Sequence, residues 1–358
     1  MLAEFSTLKI LQAPNFRDFR QAFRAKLGRN FIVPANSFDN VKGQFPIGFF
    51  IWDTNQKEVF EETTTTIYDS KGEELGNKLI SSYLNDTNVI VWLRQYYDKQ
   101  GESIGFLRMN GTNIQNNLGI YITSKLSDND IHNHFYAEIT KTNILPMCIY
   151  LSIRETVNAN WINDRDQYLV PSSKWEDDKE FQYNCLIHSL FSGQNRIQSQ
   201  HGTNHWIPFS EEEVGAQDNF ESHFIHDFIM GKVKEEKPQQ KETMQDLFAE
   251  QEPQTTGGSS FTPTGPLEFS QEAQAVLDAG RELWRYYHKQ AGANPNASYY
   301  DIKMHFQGTK TTKSGKLQMN STSEDATYNT LLANLRQAMK GLAAHIEPKV
   351  YEYGFLKK

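Results

Sequence analysis

The chain has almost no cysteine: Cys148 and Cys185 are the only two among 358 residues. That excludes a disulfide framework and any cysteine-rich zinc site. No apolar run approaches the roughly 18 residues that a membrane helix needs. The first residues lack the basic, apolar, small-residue order of a secretory signal. Both absences make a cytoplasmic location the expectation, with no membrane partner. There is no G-x-S-x-G elbow, no C-x-x-C and no G-x-x-x-x-G-K-[ST] phosphate loop, so three common routes to nucleophilic or phosphoryl chemistry are missing. Twelve prolines are present and no two are adjacent.

A surplus of one charge sign is also missing from most of the chain. The net charge is −8, but twelve Asp or Glu against four Lys between Pro208 and Pro253 account for all of it. Two basic patches stand out in the neutral remainder. One carries Arg17, Arg20, Arg24, Lys26 and Arg29 against Asp18; the other carries Arg281, Arg285, Lys289, Lys303, Lys310, Lys313 and Lys316 against Glu282 and Asp301. Such patches are either phosphate footprints or solvated helix faces.

Apolar spacing predicts the elements. Phe16, Phe19, Phe23 and Leu27 fall on one face of a helix capped by Asn15 and ended by Gly28. Ile47, Phe49, Phe50, Ile51 and Trp52 form the continuous run of a buried strand. Residues 61–77 read as a hairpin, 82–100 as mainly helical, and 104–140 as strands between Asn- and Gly-rich turns. Lys179–Gly193 reads as a helix with Cys185 on its core face, and Phe220, Phe224, Ile225 and Phe228 as a second core-facing stripe. Residues 231–266 read as a flexible linker with one small apolar island, MQDLF. A helix starts at Ser270. A basic loop follows, and a last long helix starts at Thr322–Asp325 and runs until Pro348.

Ten histidines invite metal sites, but none assembles. His201 and His205 lie in a Gly- and Asn-bearing loop without the glutamate of H-E-x-x-H. His132-Asn133-His134 is three letters and not a fold. His223 and His226 lie in a helix beside Asp227, with no third ligand apparent from spacing. The polar stretch NANWINDRDQYLVP, residues 158–171, is more informative. It packs Asn158, Asn160, Asn163, Asp164, Arg165, Asp166 and Gln167 around Trp161. Asn and Gln pair with adenine edges, Arg pairs with guanine, and Trp stacks or wedges. The competing reading is a self-satisfied loop in which Asp and Asn bond nearby backbone N–H groups.

FRDFRQAF, FPIGFFIWDT, NANWINDRDQYLVP, NCLIHSLFSGQN, HGTNHWIPFSEEEV and IEPKVYEYGFLKK, in that order, resemble the carboxy-terminal portion of bacterial adenine-N6 DNA methyltransferases of restriction–modification systems. The resemblance covers nearly the whole chain apart from the linker. The family's (N/D/S)-P-P-(Y/F/W) motif and its glycine-rich S-adenosylmethionine segment have no counterpart here; Asn294-Pro295-Asn296 is the nearest string. The resemblance therefore implies a chain inactive alone, which meets S-adenosylmethionine only through a catalytic partner such as an upstream methylase half.

The fold expected is α+β: a partial edge of a Rossmann-like sheet over 1–60, a mixed α/β target-recognition region over 61–230, the linker, and a helical subdomain over 267–358. The expected function is target recognition on double-stranded DNA, with no catalytic, cofactor or metal residues in the chain itself. Asn160, Asn163 and Gln167 are the expected base readers and Trp161 the stacking side chain. Arg165, Lys310, Lys313 and Lys316 are expected to neutralise phosphates. The alternatives are a non-catalytic structural or protein-interaction role, and a divalent-metal nuclease, which would need converging carboxylates.

Overall fold

The computed structural model describes residues 1–41, 43–98, 100–133, 135–233, 263, 265–313, 315 and 317–358. Most of the expected linker, MQDLF included, lies outside them, as does Lys316.

Five strands open the chain: β1 (Leu2–Thr7), β2 (Lys26–Pro34), β3 (Pro46–Asp53), β4 (Glu62–Tyr68) and β5 (Glu74–Ser81), with short helices α1 (Lys9–Gln12) and α2 (Arg17–Ala22) between the first two. They form one sheet in the order β1-β3-β2-β4-β5, in which only β2 and β4 run parallel. The run read as a strand buried on both faces is in fact two-sided. Pro46, Gly48, Phe50 and Trp52 turn inward, while Ile47, Phe49 and Ile51 are half-exposed. The inward set meets Leu8, Leu11, Ile32, Phe60, Ile67 and Ile80 in a small core. On the outer face Phe49 lies 4.7 Å from Phe5 and 5.3 Å from Phe31, and Phe5 remains 55% exposed.

The helix expected over residues 16–27 is shorter than its apolar spacing suggests. It stops at Ala22, Phe23 is extended, and Lys26 already opens β2. Leu27 pairs with Trp52 across the sheet, and Phe23 packs edge-on against Trp52. Helix and strand thus feed one core, and the helical period across their junction is a coincidence of two elements.

The second sheet takes α3 (Val89–Arg94), β6 (Ser103–Arg108), β7 (Tyr121–Thr123), α4 (Asp128–His132), β8 (Tyr136–Thr140), α5 (Ile144–Thr156), α6 (Lys179–Phe191), β9 (Asn195–Arg196), α7 (Glu211–Val214) and α8 (Phe224–Ile229) around it. Its order is β8-β6-β7-β9, with β7 and β9 parallel. Of the helix expected over 82–100 only α3 forms, capped by the Asn88 side chain. Helix α5 is buried on nearly every side and packs against α6.

The C-terminal region is helical: α9 (Gln271–His288), α10 (Tyr299–Gln307) and α11 (Ala326–Glu352), with a two-stranded hairpin β10 (Thr309–Thr311) and β11 (Leu317–Met319) between the last two. The Ser270 side chain caps α9, Ser298 and Asp301 form a capping box on α10, and Asp325 rather than Thr322 caps α11. Gly308, at φ 64°, turns the chain from α10 into the hairpin. Helix α11 does not stop at Pro348 but runs on to Glu352. Ile346 and Val350 are buried on either side of the proline, and the Tyr353–Leu356 tail packs into the same core. That packing outweighs the one backbone hydrogen bond a proline removes.

These helices share a single apolar cluster with the second sheet and its helices. The molecule is a mixed α+β fold with two mixed sheets and a helical C-terminal region. Gly280 of α9 shows how closely that core is filled: a Cβ there would sit 2.3 Å from the Phe191 ring, itself held edge-on against Trp284. Gly280→Ala is expected to destabilise by roughly 1–3 kcal/mol through overpacking, although alanine is the better helix former by about 1 kcal/mol. Urea denaturation measures this, and a stabilised variant would show that Phe191 can repack.

Candidate nucleic-acid interface

The polar stretch divides into an exposed tip and a buried root. At the tip, Asn160 Oδ1 accepts from the Ile162 and Asn163 amides at 2.8 and 3.2 Å. Asn163 Oδ1 accepts from the Asn160 amide at 2.9 Å, and Asn163 Nδ2 donates to Asn158 O at 3.0 Å. These are turn bonds of the kind Asn favours. Asn160 is exposed and Asn163 half-buried. Trp161 is half-buried too, and with Ile162 it packs on the core of the N-terminal sheet.

The root, Asp164–Gln167, is buried. Arg165 lies 3.5 Å from Asp164 and donates to Gln115 Oε1. Gln167 accepts from Thr112 Oγ1 at 2.9 Å and donates to Arg165 O at 2.8 Å. The structure thus places Arg165 and Gln167 in protein contacts and not at the surface. Asp166 accepts from Lys78 Nζ of β5 at 2.6 Å and from Gln12 Nε2 of α1 at 3.2 Å. Burial pushes the Asp164 carboxyl up to about 6 and raises Asp166 as well, with Lys78 opposing the latter.

Backbone bonds tie the same stretch to two other places. The Ile114 and Gln115 amides donate to Asp166 O and Asp164 O, Tyr168 N donates to Thr112 O, and Leu169 N donates to Phe355 O. The density of polar residues is therefore largely a joint. It ties the N-terminal sheet, the 112–115 loop and the C-terminal tail together.

That joint supports residues 110–119, one of the Asn- and Gly-rich turns expected between strands but not marked by any motif as a site. Its 3₁₀ turn, Ile114–Gly119, ends beside Leu118, which is 83% exposed. Fully buried Arg154 of α5 holds the loop from inside. It donates to Asn117 Oδ1 at 2.7 Å, Gly111 O at 2.8 Å, Asn113 O at 3.0 Å and Tyr150 OH at 3.0 Å. Its guanidinium lies 4.5 Å from the Tyr168 ring centre. Arg108 of β6, paired with Asp130 at 3.0 Å, donates to Gly119 O. Exposed Gln115, half-buried Asn110 and Asn116, and Leu118 thus sit on a rigid mount.

The hairpin β10–β11 is the second candidate surface. Lys310 and Lys313 are exposed, and neither makes an ion pair among the described residues. Lys310 lines an open polar cleft of about 760 Å³ with Gln290, His305, Asn320, Glu324 and Asp325. No hydrogen bond, ion pair or ring contact among the described residues joins this hairpin to the Asn158–Gln167 stretch.

Much of the remaining basic charge is already engaged. Arg20 is buried and donates to Ala13 O at 2.8 Å, and Arg17 donates to Leu84 O. Arg281 pairs with Asp278 and Glu213, and Arg285 with Glu282. His223 and His226 face Glu211 and Glu213. No group of three His, Cys, Asp or Glu among the described residues converges to hold a metal ion. Nor is any helix among them long and apolar enough to cross a membrane. No family model, no curated protein and no solved structure matches this chain.

Proposed function

We propose that the chain is the DNA-gripping, target-recognition part of a restriction–modification adenine-N6 DNA methyltransferase, acting on double-stranded DNA and dependent on a catalytic partner for S-adenosylmethionine. The observation that carries this reading is the exposed hairpin, whose Lys310 and Lys313 make no ion pair among the described residues and whose Lys310 lines a polar cleft. Free exposed cations beside hydrogen-bonding side chains suit a phosphate backbone. Lys316 is a third phosphate contact in the proposal.

Base contacts fall to the exposed members of the polar loops: Asn160, with Asn163 and Trp161 at its side, and Gln115, Asn116 and Leu118 on the loop held by Arg154. Arg165 and Gln167 serve them as anchors. The motif order described above supports the family assignment. The outer face of the N-terminal sheet, with Phe5, Phe31 and Phe49 half-bare, suits the edge of a methylase domain whose other half covers it. A nuclease reading has no carboxylate cluster to stand on among the described residues.

Binding to duplex oligonucleotides over a range of salt tests the proposal. Replacing Lys310 and Lys313 by Gln is expected to flatten the slope of log Kd against log salt by about 0.9 per lost phosphate contact. An unchanged slope rejects the hairpin as a phosphate surface, and no retention on duplex at low salt rejects the DNA reading.

A further inference from the structure

Asn110 and Gly111 are the only Asn–Gly pair in the sequence, and they open the loop that Arg154 holds. Both neighbours are pinned. The Met109 amide donates to Phe135 O at 2.7 Å, and Thr112 O accepts from the Tyr168 amide at 2.8 Å. Between them Asn110 is half-buried and Gly111 exposed, so water reaches the pair.

The Asn110 side chain is turned onto the backbone that follows it. Its Oδ1 accepts from the Gly111 amide at 2.9 Å, which sets that nitrogen against the side-chain carbonyl group. Its Nδ2 is packed on Gly119: a Cβ added to Gly119 would meet it at 2.2 Å and Arg108 Nη1 at 3.0 Å. Gly111 leaves the approach to Asn110 open, because glycine has no Cβ to hinder its nitrogen or to narrow its backbone freedom. A Cβ there would also sit 2.6 Å from Asn116 Nδ2. Gly111 O is fixed by Arg154 Nη2 at 2.8 Å. Held neighbours cut the orientational freedom that a ring closure must otherwise give up.

We propose that Asn110–Gly111 is a site of spontaneous covalent modification through a cyclic imide. Gly111 N attacks Asn110 Cγ. The N–Cγ bond forms, the Cγ–Nδ2 bond breaks, and the amide nitrogen leaves as ammonia with the proton that Gly111 gives up. Water then opens the five-membered ring at one of its two carbonyls. Breaking the Cγ–N bond leaves aspartate. Breaking the backbone C–N bond leaves isoaspartate, whose main chain is longer by one carbon. No oxidant or reductant is involved, and water is the only co-reactant. Either product places a carboxylate close to Arg108, which in the parent protein serves Gly119 O. The extra carbon of isoaspartate also shifts the Gly111 carbonyl away from Arg154. The chemistry does not rest on the duplex-DNA reading.

Peptide mass spectrometry of the full folded chain, aged at mildly alkaline pH, provides the test. Asn110 is expected to lose its amide faster than Asn36 and Asn320, which precede serine, and to yield both isoaspartate and aspartate. Its rate should come within roughly tenfold of that in a short peptide of the same sequence, or exceed it, since the fold already holds the pair in reach. Gly111→Ala should slow the loss by roughly tenfold, an added barrier of about 1.4 kcal/mol from crowding the nitrogen. Should Gly111→Ala fail to fold, the isoaspartate formed by the parent protein decides, because direct hydrolysis of a side-chain amide gives aspartate alone. An amide that persists in the folded chain while the peptide loses it, a product free of isoaspartate, or an equal rate in Gly111→Ala overturns the proposal.

Discussion

Arg154→Met is expected to destabilise the protein by roughly 3–5 kcal/mol, the range for breaking a buried hydrogen-bonded charge network. The guanidinium is fully buried and has no carboxylate partner among the described residues. It is held by carbonyl, amide and phenol oxygens and the Tyr168 ring. Methionine fills most of the volume, but it strands the Gly111 carbonyl and the Asn117 side-chain oxygen without their donor and leaves the Asn113 carbonyl only the Asn116 amide. Arg154→Lys keeps the charge and loses the planar fork, so it should fall between parent and Met. Urea denaturation gives the magnitude. Hydrogen exchange over residues 110–119 should show the loop losing protection first. A loss below about 1 kcal/mol would mean that water replaces the guanidinium with little penalty and that the loop needs no internal mount.

Asp166→Ala is the second large effect. It leaves Lys78 and Gln12 facing a buried gap, and breaking a buried pair from one side costs roughly 3–5 kcal/mol. The loss should be regional. The N-terminal sheet has its own small core, whereas the second sheet and the C-terminal helices share another. Limited proteolysis is expected to open residues up to about 82 while the remainder stays resistant. The double variant Lys78→Met with Asp166→Leu removes both charges and should recover much of the loss. If Asp166→Ala weakens both regions equally, or if the double variant is as unstable as the single, the Lys78–Asp166 contact is not what couples them.

The elements most legible in the sequence were those with one wet face. The hairpin of β4 and β5, the strands of the second sheet and α9 all follow from alternation or a helical stripe with a cap. Helix α5 left no such trace. From Ile144 to Thr156 it is surrounded by core, so Met147, Cys148, Tyr150 and Ser152 are all buried and no stripe separates one side from another. The join after α2 misled in the opposite direction, because two elements serving one core produced a single apparent period.

At the candidate site, the stretch around Trp161 was recognisable as special, but its composition could not separate tip from root. Asn and Asp bond backbone amides equally well at a surface turn and in a buried joint. The 110–119 loop carries no local mark of a site because it is held by Arg154, 37 to 43 residues beyond the groups it binds. A long-range hydrogen bond writes nothing into local sequence.

Among the described residues strand β1 pairs on one side only, with β3, and it carries Phe5 beside Phe49 on the open face of the sheet. A bare backbone ladder next to a greasy surface is an adhesive combination, since any extended segment that meets it can add itself as a further strand. In concentrated solution the isolated polypeptide therefore has a route to sticking to its own kind, with few charges along β1 to discourage it.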